Sequence, residues 1–250
     1  MSLVSIILPY YKKINFFALT YRSIIKQSYQ NYELIIIYDD TDIVELKAIK
    51  KIINKNPKVR IFCNRRNLGA GLSRKHGIKK SRGKFITFID ADDIWAKNKI
   101  REQVKFIEKN NFDFVCCNYK KKFRNKIITV NSKFRITYQD LLKSCTIGLS
   151  TVMLRKELVN YKLFSNLKTQ EDFSAWLKIL RKKEVFCYNL NKTLVTWNYD
   201  DNSLSSNHFQ KLKDAYKVYR LNEKFSLINS LIHLFILSIN SLKRKKNFYK

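Results

Sequence analysis

The chain has 250 residues, of which 45% are hydrophobic, and it carries 50 Lys and Arg residues against 20 Asp and Glu residues. This hydrophobic content is typical of a globular protein with a sizeable core and argues against intrinsic disorder. An odd number of cysteines, five, with no C-x-x-C pair argues against a disulfide framework. The first residues lead into a strand-like segment rather than a secretion signal, so we expect a cytoplasmic protein with reduced thiols.

The net charge of +30 suggests nucleic-acid binding as one hypothesis. However, the basic residues are spread along the whole chain, without an Arg-rich arm or a platform of alternating aromatic and basic residues. The joint abundance of Lys, Asn, Ile, Phe and Tyr is typical of a biased genomic base composition. The charge is therefore compatible with an anionic membrane or a phosphate-bearing substrate but is diagnostic of neither, and nucleic acid is not an expected partner.

The first part of the chain alternates between strand-like and helix-like segments. Strands are predicted at residues 3–8, 32–38, 59–62, 85–89 and 112–118. Helices are predicted at residues 16–26, 44–53, 97–109, and from the loop at residues 67–71 through residue 80. Because helical stretches separate the strands, the connections are crossovers, and the pattern predicts an α/β fold with a mainly parallel sheet.

The pattern changes after residue 119. We predict a hairpin at residues 123–134 turning near residues 124–126, a strand at 150–154, a helix at 173–180, short strands at 185–188 and 193–197, and helix from residue 209 onward. No internal repeat or low-complexity linker separates these segments. We therefore expect one continuous domain over residues 1–205 and a helical C-terminal extension over residues 206–250.

The extension contains apolar residues at helical spacing between Leu227 and Leu242, followed at once by a basic run at residues 243–246. The apolar stretch is short and is interrupted by Ser and Asn, so a membrane-spanning helix is not expected. Two uses of this helix remain open. It could pack on the protein's own core, or lie in the plane of an anionic membrane with its lysines at lipid phosphates.

The apolar run at residues 85–89 ends in three acids, Asp90, Asp92 and Asp93. Burial explains the strand but not three carboxylates within four residues at its carboxyl end. Carboxylates this close repel one another unless a cation lies among them, and open α/β sheets bind ligands at this edge. The sequence therefore predicts a site there that holds a divalent metal. The three histidines are widely separated, which argues against zinc.

Four further clusters follow or precede predicted elements: residues 9–11, residues 39–42, residues 65–69 with Arg74, and residues 170–172. Together with the acids after residue 89, and in this order, they resemble the motifs of glycosyltransferase family 2, which has the GT-A fold. The resembling segments are the opening strand and turn (4–11), the second strand with paired acids (32–40), the Asn-x-Gly…Ala-Arg-Asn segment (67–77), the D-x-D motif with Trp95 (90–93), and the acceptor-side Glu-Asp motif with Trp176 (170–172). The resemblance covers about the first 200 residues.

The resemblance implies a metal-dependent, inverting transfer of a sugar from a nucleotide-sugar, with UDP-sugar as the leading donor. The acceptor would be a glycan or glycolipid in bacterial surface-polysaccharide synthesis, such as lipopolysaccharide or capsule. It also implies a GT-A catalytic domain with a nucleotide-sugar half (1–118) and an acceptor half (119–205). The enzyme would work in the cytoplasm at the inner face of the membrane. Peripheral contact of the C-terminal helix and residues 243–246 with anionic lipid is one of the two uses of that helix left open above.

The resemblance also assigns roles to the acids. Asp92 and Asp90 would hold Mn²⁺ or Mg²⁺ together with the donor's diphosphate, because hard cations prefer oxygen ligands. Asp172 would be the general base that takes the proton of the acceptor hydroxyl, with Glu171 as its rival. Apart from the resemblance, ordinary turn chemistry predicts that Asp93 caps the following helix.

The remaining residues assigned by the resemblance form the nucleotide side of the site. Asp39 would accept a hydrogen bond from the uracil imide, with Asp40 supporting the nucleotide or the loop. Further contacts to the donor would come from Pro9, Tyr11, Asn67, Arg74 and Ala91. Trp176, at helical spacing with Leu177 and Leu180, is expected in the core rather than at the acceptor.

Two segments depart from the family pattern. Thr41 and Asp42 replace the usual Gly-Ser, which leaves open the loop conformation and which acid contacts the base. In the late segment at residues 197–205, Asn198 stands where an arginine is common, which removes an expected phosphate contact.

Two other classes stay open at this stage. Haloacid-dehalogenase-like phosphotransferases also end an apolar strand in D-x-D, with the first Asp, here Asp90, as nucleophile. Their motif normally opens the domain, whereas Asp90 follows several strand–helix units. A basic nucleic-acid-binding protein ranks last, because it leaves the ordered carboxylates unexplained.

Overall fold

A computed structural model describes residues 1–123, 126–198 and 207–246 of the chain. Part of the predicted hairpin turn (124–125), most of the late motif (199–205) and the predicted boundary at 205/206 lie outside the described residues. The strands are β1 Val4–Tyr10, β2 Tyr32–Tyr38, β3 Val59–Cys63, β4 Phe85–Phe88, β5 Ile94–Trp95, β6 Phe114–Phe123, β7 Lys126–Val130, β8 Arg135–Ile136, β9 Met153–Arg155 and β10 Cys187–Asn198.

The helices alternate with these strands in the first half and cluster in the second. They are α1 Ile14–Ile25, α2 Ile43–Ile53, α3 Ala70–Lys80, α4 Lys99–Asn110, α5 Tyr138–Lys143, α6 Glu171–Leu180, α7 His208–Lys217 and α8 Leu227–Lys246. Short 3₁₀ turns lie at Leu149–Thr151 and Lys156–Leu158, and a π-helical turn at Val218–Asn222 connects α7 toward α8.

The strands form one mixed sheet in the order β3-β2-β1-β4-β9-β6-β10-β5, with β7 on β6 and β8 on β10. The sheet has four mutually parallel strands, β3, β2, β1 and β4. Strand β9 is antiparallel to both of its neighbours, β4 and β6. Strand β6 and its parallel neighbour β10 therefore run in the same direction as β4. This confirms the predicted α/β fold. It also brings the carboxyl ends of β1, β2 and β4 to one edge of the sheet.

Strands β1 and β2 are buried along their whole lengths, as expected of central parallel strands covered by helices on both faces. Side chains of β1 alternate between two cores, because successive residues of a strand face opposite sides. Ile6 and Leu8 pack in one core with α1, α2 and α4, whereas Ile7 packs in the other with α3, α5 and α6. Trp176 is fully buried in the second core against Phe88 and Phe114, which confirms the predicted core position.

The C-terminal extension is part of this second core. Tyr219, in the π-helical turn, is fully buried and donates its hydroxyl to the Leu142 carbonyl at 2.7 Å. Leu237 of α8 belongs to the same cluster. The alternative in which the helix packs on the protein's own core is therefore correct for one face of α8.

Some elements differ from the prediction. The two short strands predicted at 185–188 and 193–197 are a single strand, β10, whose pairing with β6 shifts register between Asn189 and Thr193. Asn191 has a positive φ of 53°, so the polar interruption marks a bulge rather than a break. The two-residue strands β5 and β8 and the six-residue helix α5 were not predicted, because such short elements have no detectable periodicity.

Gly77 lets α3, which carries Arg74, lie directly on β1. A Cβ atom at this position would sit 2.5 Å from Cγ2 of the fully buried Ile7. We expect Gly77→Ala to lower the free energy of unfolding by about 1–3 kcal/mol through overpacking, measured by urea denaturation. Lys79→Ala, at an exposed position of the same helix, is the control for helix propensity. Equal stability of both variants would show that α3 does not depend on this close approach.

Candidate active site

The turn after β4 presents the three acids to different surroundings. The Asp93 amide donates to the Asp90 carbonyl at 3.1 Å, and the Asp90 amide donates to the Ser150 hydroxyl at 3.1 Å. The Asp90 side chain is 37% exposed and that of Asp92 is 15% exposed. Asp93, in contrast, is buried. The turn therefore keeps Asp90 and Asp92 accessible and turns Asp93 into the protein.

Asp93 does not cap the following helix, so that prediction was wrong. Helix α4 begins at Lys99, too far along the chain for Asp93 to reach its first amides. Asp93 instead accepts a hydrogen bond from the Ser150 hydroxyl, and its second oxygen has no partner within the described residues. Burial, followed by repulsion from Asp90 and Asp92, raises the pKa of Asp93 well above its ordinary value.

Asn198 holds the same turn from the end of β10. Its side-chain amide donates to the Asp92 carbonyl at 2.6 Å. The sequence suggested only that an arginine's phosphate contact was missing at this position. The structure shows that the shorter asparagine supports the backbone of the acid turn.

Asp92 is paired with Lys13, whose Nζ lies 2.8 Å from its carboxylate. Burial and the nearby Asp90 raise the pKa of Asp92, and the Lys13 ammonium partly opposes this. Sequence reasoning missed Lys13. The available signal was its place in the turn after β1, at the edge of the sheet where the acids lie.

Arg74 connects the acid turn to α6. Its guanidinium is buried, with one terminal nitrogen 2.7 Å from Asp90 and the other 2.6 Å from Glu171. The structure thus brings together Arg74, Asp90 and Glu171, which are up to 97 positions apart in the sequence. Arg74 is not an exposed helix arginine, and both of its terminal nitrogens are engaged by carboxylates.

Asp172 lies beside this cluster in the first turn of α6. Its only hydrogen bond within the described chain is from the Phe173 amide, at 2.7 Å, and it makes no ion pair there. Burial, together with repulsion from Glu171, raises the pKa of Asp172 to about 7. A carboxylate with this pKa takes up and releases protons near neutral pH, which suits a general base.

The second group of predicted residues lies at the end of β2. The carboxylate of Asp39 accepts hydrogen bonds from the Asn64 side chain at 2.7 Å and from the amides of Leu68 and Gly69, both at 2.8 Å. The Asn67 side chain donates to the Asp39 carbonyl at 3.0 Å. Asp39 is therefore saturated by the protein and fixes the loop that leads into α3. Asn64, missed by sequence reasoning, directly follows β3 and so also lies at the carboxyl edge.

Asp40, unlike Asp39, has a carboxylate oxygen without a hydrogen-bond donor among the described residues. One of its oxygens accepts from the Thr41 amide at 2.7 Å, and the other is buried without a partner in the described part of the chain. Asp42 caps α2 by accepting from the amides of Val44 and Glu45. Where the family usually has Gly-Ser, this chain therefore has a residue, Asp42, that caps α2, while Asp40 keeps an unused acceptor oxygen.

The other predicted contacts surround this edge. Pro9 is buried in β1, where it pairs with Ile37 of β2. Tyr11 follows β1 and is 43% exposed. Ala91 is buried in the acid turn, and its carbonyl accepts from the Thr20 hydroxyl at 2.9 Å. Tyr11 is thus an exposed aromatic ring at the carboxyl edge of the sheet.

The donor set of the acid turn fits a hard divalent cation whose coordination is completed from outside the protein. No group of three or more His, Cys, Asp or Glu side chains arranged to hold a metal occurs among residues 1–123, 126–198 and 207–246. Asp90 and Asp92 nevertheless supply two mutually repelling carboxylates, and Mg²⁺ commonly binds through one or two carboxylates plus water and substrate phosphates. Two accessible carboxylates on one turn are compatible with a divalent cation whose other ligands come from water and substrate phosphates.

The family model described as Glycosyl transferase family 2 matches residues 5–167. The chain belongs to glycosyltransferase family 2. It is therefore a glycosyltransferase, and this excludes the haloacid-dehalogenase-like alternative, in which Asp90 was the nucleophile.

Relatives within glycosyltransferase family 2 match over most of the chain. The UDP-Glc:alpha-D-GlcNAc-diphosphoundecaprenol beta-1,3-glucosyltransferase WfgD of Escherichia coli is 34% identical over 86% of this chain and 85% of its own. WfaP of Escherichia coli, with the same printed activity, is 34% identical over 97% of this chain and 95% of its own. The putative teichuronic acid biosynthesis glycosyltransferase TuaG of Bacillus subtilis is 27% identical over 97% of both chains.

Comparison with solved structures supports the fold. S. aureus TarS 1–349 in complex with UDP-GlcNAc superposes with a TM-score of 0.74 at 20% identity, covering 94% of this chain and 70% of that one. The mannosyltransferase PcManGT from Pyrobaculum calidifontis, in complex with GDP-Man and Mn²⁺, gives a TM-score of 0.70 at 13% identity, covering 96% of this chain and 73% of that one. The predicted GT-A fold is confirmed.

Arg74 should be essential for the stability of the site. Arg74→Met would leave the partly buried Glu171 carboxylate without its cation, so we expect a loss of about 3 kcal/mol in unfolding free energy, measured by chemical denaturation. The double variant Arg74→Met/Glu171→Gln should recover part of this loss, because the unpaired charge is removed. If the single variant is as stable as the wild type, the ion pair does not hold α3 to α6.

Proposed function

We propose that this protein is a metal-dependent, inverting glycosyltransferase that moves a sugar from a UDP-sugar onto a lipid-linked glycan in bacterial surface-polysaccharide synthesis. The observation that carries the proposal is the position of Arg74 between Asp90 of the donor-side motif and Glu171 of the acceptor-side motif. A transferase must bring the donor's anomeric carbon and the acceptor's hydroxyl together. This ion-pair bridge keeps the two corresponding motifs next to each other.

The donor would lie along the carboxyl edge of β1, β2 and β4. The unpartnered oxygen of Asp40 supports a hydrogen bond from the imide N–H of uracil, while the saturated carboxylate of Asp39 supports a role in shaping the loop. The sequence-based expectation gave the base contact to Asp39, and the hydrogen bonds favour Asp40.

Tyr11, exposed at the same edge, offers an aromatic face for the base, and Pro9, Asn67 and Ala91 shape the pocket's backbone.

Asp90 and Asp92 would hold Mn²⁺ or Mg²⁺ with the donor's diphosphate. When bound, the cation supplies stabilisation of the negative charge on the leaving UDP. The protein would orient the two carboxylates. Ser150 and Asn198 contribute to this because their side chains hydrogen-bond to the backbone of the turn. Lys13 occupies the Asp92 carboxylate in this structure and could turn to a phosphate once the donor is bound.

Asp172 would act as the general base. Glu171 is held by Arg74, whereas Asp172 is not paired within the described chain and has a pKa of about 7. As the acceptor oxygen attacks the anomeric carbon, its proton passes to the Asp172 carboxylate, and the bond from that carbon to the diphosphate oxygen breaks on the opposite face. One glycosidic bond forms, UDP leaves, and the configuration is inverted.

The acceptor class follows from the relatives. WfgD and WfaP act on GlcNAc-diphosphoundecaprenol with UDP-Glc, and TuaG is assigned to teichuronic acid synthesis. We infer a polyprenyl-diphosphate-linked sugar as acceptor and a hexosyl or N-acetylhexosaminyl group as the sugar transferred. Such an acceptor lies in the membrane, so the enzyme would act in the cytoplasm on the inner face of the membrane, as a peripheral protein.

The assignment of the base can be tested by comparing two neighbouring variants. Asp172→Asn should lower kcat by about 100-fold or more while UDP affinity, measured by calorimetry, is retained. The wild-type rate should rise with pH through about 7 and level off above it, because only the ionised carboxylate accepts a proton. If Glu171→Gln loses activity by this amount and Asp172→Asn does not, Glu171 is the base.

The metal role can be tested at Asp92. Asp92→Asn should reduce Mn²⁺-dependent transfer by about 100-fold or more without changing the melting temperature appreciably. Asp113→Asn, which removes an exposed carboxylate far from this turn, is the matched control. Equal wild-type activity in EDTA and in Mn²⁺ would contradict the metal dependence but not the transfer of sugar itself.

A further inference from the structure

Helix α8 has two different faces. On one face Ser230 and Leu237 are buried, and the His233 ring packs against the rings of Tyr219 and Phe225 at 5.4 and 4.9 Å between centroids. The Asn240 side chain donates to the Lys143 carbonyl at the end of α5. This inner face fixes the orientation of α8 on the domain.

The outer face of α8 is also apolar. Six large side chains, each between 49% and 70% exposed, recur along it: Leu227, Ile228, Leu231, Ile232, Phe235 and Leu242. Their spacing of three, four and seven residues places them on one stripe, beside the buried one. A soluble helix ordinarily turns charged residues outward, so an apolar outer stripe of this length indicates a surface with a partner.

The charged residues in the chain from residue 224 onward are all basic. From residue 224 to residue 250 the chain has no Asp or Glu, and it has six basic residues: Lys224, Lys243, Arg244, Lys245, Lys246 and Lys250. None of the helices in the described ranges is long and apolar enough to cross a bilayer. An apolar helix face with lysines and no carboxylates is the pattern of a helix that lies in a lipid headgroup region.

We propose that the outer face of α8 docks the enzyme on an anionic lipid bilayer, with the apolar stripe at the acyl boundary and the basic residues at lipid phosphates. A second copy of this chain fits this surface less well, because it would offer the same basic residues and no acids to pair with them. The inference deepens the proposed function, since a lipid-linked acceptor requires the enzyme at a membrane. It resolves the choice between core packing and membrane contact: α8 uses one face for each.

The experiment is flotation of the full-length protein with vesicles of phosphatidylcholine containing 40 mol% phosphatidylglycerol, against vesicles of phosphatidylcholine alone, at about 0.1 M salt. We expect the protein to bind the anionic vesicles, and to bind the neutral vesicles more weakly. The variant Ile232→Ser/Phe235→Ser should reduce the vesicle affinity by about tenfold or more, since two side chains lose their burial in lipid. Leu19→Ser/Ile127→Ser, at exposed positions of α1 and β7, is the matched control and should bind as the wild type does.

Circular dichroism and light scattering of all variants complete the test, because the substituted side chains are exposed and their loss should leave the fold intact. Equal vesicle binding by both double variants would overturn the proposal, since general positive charge would then account for the binding. A dimer in solution that is abolished by Ile232→Ser/Phe235→Ser, without vesicle binding, would also overturn it and assign the face to a second copy.

Transfer to a water-soluble, short-chain acceptor should be unchanged in Ile232→Ser/Phe235→Ser. A wild-type protein that floats but transfers no sugar would therefore refute the proposed function and leave the docking surface standing.

Discussion

The candidate site brings together five carboxylates from two parts of the chain, and their mutual repulsion is the constraint on which its structure depends. Asp90, Asp92 and Asp93 come from the turn after β4, and Glu171 and Asp172 from the start of α6. Acids this close destabilise the folded state unless cations or hydrogen-bond donors compensate them. Arg74 compensates two of them at once, and because its guanidinium is buried the bridge is little screened by water. It therefore fixes the distance between the two motifs that a sugar transfer must bring together.

The same constraint gives each acid a different protonation behaviour. Glu171 is held by Arg74, and Asp92 by Lys13, whereas Asp93 is buried on Ser150 with a pKa raised well above its usual value. Asp172 has no cationic partner within the described residues, and its pKa of about 7 follows from burial and from the charge of Glu171. Five chemically similar side chains thus differ in ion pairing and in pKa because of their neighbours, and the proposed positioning, metal-binding and proton-accepting roles rest on these differences.

The C-terminal helix α8 packs on the domain with one face and exposes an apolar stripe on the other. Its inner face completes the core that also contains α6, the helix of Glu171 and Asp172. Its outer face carries the apolar stripe. The face proposed to dock on lipid is therefore attached to the part of the domain that holds the acceptor-side motif, and docking there would orient the site toward an acceptor embedded in the same membrane.

The sequence by itself determined the alternation of strands and helices, the position of the acids at the carboxyl end of β4, and the family, because these depend on local periodicity and on motifs in a fixed order. Only the tertiary structure decided which acids are paired. No local pattern places Arg74 next to Glu171, Ser150 next to Asp93, or Asn198 next to Asp92, since these contacts join residues 57 to 106 positions apart. Three further features were decided by packing, because burial and hydrogen-bond saturation are properties of the folded chain. They are the hydrogen bonds of Asp39 to its own loop, the joining of two predicted strands into the bulged β10, and the two faces of α8.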